Sequence, residues 1–344
     1  MRLRVLTWHV HGSYLYYLSH VRHELYVPVR EGRPPGYVGL PPGGFPWPEN
    51  LHEIPAEQVP ALELDAVLSQ THDQWLVERD RLLSPVQRRL PRLHVEHDPP
   101  REHPVDQRHP VDDPEALLVH VTHFNELMWD SGATPTRVVE HGVAVPEDVR
   151  WTGELDRGLV LVNDLPTRGR RLGADIYRRV RAEIPLDLVG MGSEDEPGGL
   201  GEVPHDELPE FAARYRFLFN PIRYTSLGLA VLEAMAVGLP VVAVAATEHA
   251  VAVRDGVNGY AETSVDRLVA RMRGLLADHD EARRLGEAAR RTARERHSVE
   301  RFARDWDEAL RTAGGAYVSG PASPARGSFA RASSAASASF STTM

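Results

Sequence analysis

The run Thr225-Ser226-Leu227-Gly228-Leu229, followed by Glu233, holds residue types suited to an anion and a sugar diol. Gly228 lets backbone come close to a ligand. The free N–H groups of a helix starting here, with the positive end of its dipole, form an anion site. Glu233 lies seven residues beyond Ser226, so a helix that starts at Ser226 puts the two on one face. A carboxylate placed there accepts hydrogen bonds from a ribose diol. A second candidate is Arg168-Gly169-Arg170-Arg171. A basic cluster is unfavourable at the positive end of a helix dipole unless an anion is present. Guanidinium groups hold phosphate oxygens bidentately. Each segment also has a plain reading: an ordinary strand–helix–strand unit carrying one solvated glutamate, and a solvated basic helix start.

Two further places carry potential chemistry. Gly12 follows the first apolar run in His9-Val10-His11-Gly12-Ser13, where a ligand meets backbone at the carboxyl edge of an α/β sheet. A plain strand–helix turn with two surface histidines fits as well. His94, His97, His103 and His109 stand among carboxylates. Zinc ligands come in tight pairs at fixed helical or turn offsets. The prolines of PPREHPVDQRHPVDDP break any helix that would set such offsets, so the expectation is no metal. Arg101 suits either a phosphate, an acidic acceptor group or a surface salt bridge.

These residues need a scaffold of buried strands and helices. Phe217–Asn220 is a short apolar strand closed by Pro221, which cannot sit inside a central strand. Thr225 and Ser226 are N-cap types, and Leu229, Leu232 and Ala236 recur at helical spacing. Gly238 and Pro240 end that helix, and Val241–Val244 reads as a strand buried on both faces. Strands are also expected at Leu3–Trp8, Glu24–Pro28, Leu64–Ser69, Leu93–Val95, Ala116–Val121, Arg137–Glu140, Leu159–Val162 and Leu186–Gly190. Charged helices fill Ser264–His297, and Ser298 caps a last helix from Val299 to Leu310. The Gly- and Pro-rich stretch Glu31–Trp47 is a long irregular loop, and loops of that length in compact domains are often functional or mobile.

Bulk properties narrow the classes. A chain of 344 residues fits about two domains. A net charge of −10 argues against sequence-independent nucleic-acid binding. With no cysteine there is no disulfide framework, thiolate metal site or cysteine nucleophile, which fits a reducing compartment. Arg2, Arg4, His9 and His11 interrupt any signal-peptide core. No apolar run approaches the ~20 residues of a membrane span. The expectation is a cytoplasmic α/β protein without an integral membrane segment.

TSLGLAVLEAMAVGLPVVA resembles the hallmark segment of the retaining family-4 glycosyltransferases of the GT-B fold (glycosyl transferases group 1). The resemblance implies two Rossmann-like parallel-sheet domains facing across a cleft: 1–148 on the acceptor side and 149–312 on the donor side, with a disordered tail at 313–344. It implies transfer of a sugar from a nucleotide-diphosphate donor to an acceptor hydroxyl with retention and without metal. No cofactor is implied. The acceptor stays open: a glycan, a lipid-linked intermediate or a small metabolite. Ser226, Leu227, Gly228 and Leu229 would hold the diphosphate and Glu233 the ribose. Arg168 takes the place of the family's lysine and Asn163 that of its arginine, so Arg170 or Arg171 would supply the second cation. Gly192 matches a glycine turn after the second strand, and Val203 the segment whose backbone receives the nucleobase. From the first domain, His97 of His97-Asp98 and Gly12 would line the sugar side. Thr225 stands where the family has a glutamate near the sugar. That departure and Asn163 favour an alternative, a nucleotide-sugar-binding protein that has lost catalysis. A GT-B phosphorylase or epimerase is the other.

Overall fold

The computed structural model describes residues 2–41 and 45–313. The expected tail, 313–344, lies outside the described residues apart from Ala313, and so do positions 42–44 of the Gly/Pro-rich loop.

Seven strands form the first sheet: β1 (Arg4–Thr7), β2 (Glu24–Val29), β3 (Leu51–Pro55), β4 (Ala66–Ser69), β5 (Arg92–Glu96), β6 (Ala116–His120) and β7 (Thr136–Val138). Their order is β3-β2-β1-β4-β5-β6-β7, and every pair is parallel. The central strands are buried throughout, as AVLS and ALLVH show, because helices cover both faces of a parallel sheet. The order reverses between β1 and β4. In open α/β sheets ligands bind outside the carboxyl ends of the strands at such a point, and the loops leaving it are 8–12 and 70–73.

The second sheet holds β8 (Leu155–Leu161), β9 (Leu186–Val189), β10 (Tyr215–Asn220), β11 (Val241–Val244) and β12 (Gly259–Glu262), in the order β12-β11-β10-β8-β9, again parallel. Its reversal falls between β8 and β10, so the loop after Leu161 and the loop after Asn220 open at one edge. Two strands escape the sequence reading. β3 and β12 are edges, short and partly exposed, so neither shows a continuous apolar run.

The unit around β10 follows its sequence closely. β10 is wholly buried, and Asn220 closes it by accepting the Ile222 N–H at 3.0 Å. The helix runs Leu229–Val237, and Gly238 ends it at φ +99° with its N–H returned to Ala234 O and Met235 O. The start differs from expectation. The N-cap is Gly228 in extended conformation, with no side-chain cap, so Thr225 and Ser226 are loop residues and not caps. Ser226 therefore shares no helix face with Glu233. The reason is Pro221 and the extended turn behind it, which carry the chain three residues further before it coils.

The last helix, Val299–Ala313, starts with Ser298 Oγ accepting the Arg301 N–H at 3.3 Å. It crosses back beneath the first sheet. Phe302 meets Tyr14 edge-on at 5.7 Å, and Arg301 donates to the carbonyls of Glu140 and His141 at 2.7 and 2.6 Å. A Cβ on Gly142 would stand 2.3 Å from Phe302 Cβ, so this close approach requires glycine. Among the described residues no helix is long and apolar enough to cross a membrane.

Candidate active site

Between the sheets lies a cleft pocket of about 670 Å³. Gly12, Ser13 and Phe45 line it from the first domain; Asn163, Val203 and Glu233 are among those that line it from the second. A Cβ on Gly12 would meet the Phe45 ring at 2.7 Å, so the glycine makes room where the first helix begins.

Glu233 is 8 % exposed, which removes the reading of a solvated glutamate. Burial raises its pKa, and the nearby His205 pulls the other way. Tyr17, from the first helix, donates its hydroxyl to Glu233 Oε1 at 2.8 Å across the domain boundary. Leu229 and Ala230, at the start of the same helix, line the pocket with Glu233. A Cβ on Gly228 would meet nothing within 4 Å, so open space faces the loop at the point where an anion would approach the first turn. Val203 and His205 form the far wall. Phe45 lies 4.7 Å from the His205 ring, so the Gly/Pro-rich loop covers the pocket here.

The arginines divide. Arg170 pairs with Asp175 at 2.6 Å, and Arg223 pairs with the same carboxylate, so Arg170 is committed away from the cleft. Arg168 is exposed and has no ion-pair partner among the described residues. Arg171 is half-buried; burial lowers its pKa, and repulsion from Arg101 and Arg168 lowers it further. Arg168 and Arg101 also act on His11, whose pKa is lowered first by burial, while Asp98 pulls it upward. Arg168 and Arg101, from the two domains, thus stand near His11, and Arg171 stands near both of them, with Asp98 bound to Arg101 at 2.5 Å. Like charges held together in this way favour a bound anion.

Asn163 is exposed, and its Oδ1 accepts the Met191 N–H at 3.0 Å, so it shapes a turn and brings no charge. Gly192 adopts φ +66° in the same turn and is exposed; of the two glycines here, Gly190 lines the pocket. Thr225 lies half-buried in the loop before Gly228. Its neighbour Tyr224 donates to Pro100 O at 2.9 Å and ties that loop to the first domain.

His97 faces a second pocket of about 460 Å³, shared with His11, Asp98 and Arg101. Gln70 gives its amide N–H to Trp8 O at 2.6 Å, so its carbonyl oxygen faces His97 and takes the Nε2 proton at 3.2 Å. Burial and then His11 hold the His97 pKa well below the ordinary imidazole value, so the ring is neutral at pH 7. The second pocket adjoins the first through the 11–12 turn. Tyr17 joins the site with no motif of its own, whereas Phe45 comes from the Gly/Pro-rich loop and His205 from the segment of Val203.

Residues 192–292 match the family described as Glycosyl transferases group 1. No curated protein matches the chain by sequence. Among solved structures, sucrose-phosphate synthase from Thermosynechococcus elongatus is 16 % identical with a TM-score of 0.66; the match covers 92 % of this chain and 100 % of that one. HepE of Anabaena, in complex with UDP and glucose, is 16 % identical at TM-score 0.65, covering 90 % and 100 %. AviGT4, a glycosyltransferase involved in avilamycin A biosynthesis, is 16 % identical at TM-score 0.58, covering 91 % and 98 %. The fold is GT-B, and a segment of the second domain matches the group 1 glycosyl transferase family.

Proposed function

We propose that this GT-B chain is a glycosyltransferase that moves a sugar from a nucleotide-diphosphate donor to an acceptor hydroxyl with retention of anomeric configuration. The observation that carries the reading is buried Glu233 in a cleft pocket that Gly12 also lines, with Arg168 and Arg101 acting on His11 next to that glycine. A ribose diol and a diphosphate are joined in one molecule, and the two groups of residues suit its two ends.

Glu233 takes the ribose hydroxyls as acceptor, displacing Tyr17. The N–H groups after Gly228, with Arg168 and Arg171, hold the diphosphate. As the glycosidic bond breaks, negative charge grows on the leaving phosphate, and fixed donors placed there lower the barrier. The guanidiniums fill the role that Mg²⁺ has elsewhere, so the departure of the diphosphate needs no Mg²⁺ or Mn²⁺. His97, neutral and held by Gln70, lines the acceptor-side pocket beside the sugar position. Burial of the reacting centre under the facing domains keeps water from the donor.

HepE is described with UDP and glucose, so UDP-glucose is the first donor to try. The test is slow donor hydrolysis followed by proton NMR. Release of the α-anomer first, before mutarotation, is the expected result; the β-anomer first contradicts retention. One observation favours a second reading, a binding protein without turnover. Asn163 is spent on a turn and Thr225 offers no charge. Tight nucleotide-sugar binding with no diphosphate release on any acceptor would select it.

A further inference from the structure

We propose that the first domain holds a divalent transition-metal site of the Zn²⁺ class, with His72, His94 and Glu96 as ligands and His109 as the group that positions Glu96. One donor atom from each of these four residues lies within 4.8 Å of all the others. Of the four histidines that stand out in the sequence, His94 and His109 belong to this group, while His97 faces Gln70 and His103 is exposed. The spacing is set by strands and not by a helix. β5 puts His94 and Glu96 on one face, two residues apart. The loop after β4 brings His72 beside them, and the loop after β5 returns His109 beneath.

The hydrogen bonds assign the roles. Ser69 Oγ donates to Leu93 O at 3.2 Å, so it accepts from His94 Nδ1 at 2.9 Å. That fixes the proton on Nδ1 and leaves Nε2 with a free lone pair. His94 is 1 % exposed, and its Nε2 has no hydrogen-bond partner among the described residues. A ligating imidazole is held in this way, with its other nitrogen donating to a fixed oxygen. His109 is the reverse case. Its Nδ1 accepts the Val111 N–H at 3.0 Å, so the proton sits on Nε2 and is given to Glu96 Oε2 at 3.0 Å. Glu96 Oε1 is fixed by the Asp98 N–H at 2.8 Å. His72 Nε2 lies 2.8 Å from Glu96 Oε2, a hydrogen bond that gives way by a few tenths of an ångström when both atoms bind one tetrahedral ion.

Two histidines and one glutamate are a ligand set for zinc with a position left open, whereas closed structural sites use four protein ligands. Imidazole with carboxylate selects the borderline metals over Mg²⁺ or Ca²⁺. The open position has a direction. His72 and Glu96 line the 460 Å³ pocket that also contains His97 and Arg101. An oxygen of a ligand in that pocket, hydroxyl or carboxylate, would complete the coordination. Arg168 and Arg171, which would hold the diphosphate, do not line that pocket, and the existence of the site does not depend on the donor reading.

The test is calorimetric titration of untagged, metal-stripped protein with ZnCl₂ alone. One equivalent should bind, and the melting temperature should rise with it. His72→Ala, a half-exposed loop position, should fold and lose affinity by a hundredfold or more. His109→Gln should cost about 10–100-fold, as loss of an outer-shell partner does. His103→Ala should bind as wild type. Absence of a one-to-one isotherm, or equal affinity in His72→Ala, would overturn the proposal and leave a hydrogen-bonded histidine–glutamate network. Nucleotide binding measured on the same samples separates this outcome from failure of the donor reading.

Discussion

Glu233 carries a conflict that makes it informative. Its carboxylate is buried, which raises its pKa, and Tyr17 is its only hydrogen-bond donor among the described residues. Glu233→Gln removes a buried charge, so stability should hold or rise while donor affinity falls. Hydrogen bonds to a charged group are worth about 1.5–3 kcal/mol, so the loss should be roughly 10–150-fold in nucleotide dissociation constant by calorimetry. Tyr17→Phe should act in the opposite sense and tighten donor binding, because the ribose then competes with no resident donor. Arg168→Ala should lower kcat/KM, and Arg168→Lys should recover only part, since an ammonium cannot make the paired contact. Glu233 was legible in the sequence from its place in the helix. Tyr17 was not, because nothing local in an aromatic run says which ring will meet a carboxylate 216 residues away. The burial of Glu233 follows from that same meeting of domains and was equally invisible.

The helix from Leu229 to Val237 is bounded by two glycines with different work. Gly228 has ordinary φ of −71° and open space where a side chain would go; Gly238 has φ +99°. Gly228→Ala should therefore fold normally and weaken nucleotide binding, because the methyl enters the anion's space. Gly238→Ala should leave binding unchanged and cost about 1–2 kcal/mol in stability, the strain of a left-handed residue with a Cβ. Urea denaturation beside nucleotide titration separates the two. The end of this element was legible in the sequence, through Gly238-Leu239-Pro240, but its start was misplaced. Thr225 and Ser226 have capping side chains, but the turn after Pro221 holds them in loop conformation, and a glycine begins the helix instead. The histidine cluster shows a wider gap. His72 and His94 are brought together by the parallel register of β4 and β5, Ser69 opposite His94. A reading that looked for ligand pairs along one helix could not find a pair made across strands.

The two domains are joined by the helix Val299–Ala313 and by His297, whose Nδ1 lies 3.2 Å from His141 O; His249 is buried within the second domain against Asn220. Burial lowers the pKa of His249 and of His297 to about 4, and of His141 to about 3. The unfolded chain takes these protons near pH 6.5 while the native state refuses them, so their contribution is full above that value and is lost as pH falls toward 4. Glu233 runs the other way: its folded pKa is raised, so its contribution falls as pH rises through the carboxylate range. Three histidines outweigh one glutamate between pH 7 and 5. About 2 kcal/mol for each histidine at pH 5 is expected, read as a lower urea midpoint at pH 5 than at pH 7.5. The two-sheet architecture was legible because parallel strands are apolar on both faces and come in order along the chain. The edges β3 and β12, and the return of the last helix over Gly142, depend on distant partners.

The most direct measurement is thermal unfolding with a panel of nucleotide diphosphates and nucleotide sugars, without added Mg²⁺ or Mn²⁺. A ligand at a hundred times its dissociation constant adds about 2.7 kcal/mol, a rise of a few degrees. A rise with one nucleotide diphosphate and its sugar, lost in Arg168→Ala and in Glu233→Gln, is the predicted result. No rise with any nucleotide, or a rise unchanged in both variants, would contradict a donor site in this cleft.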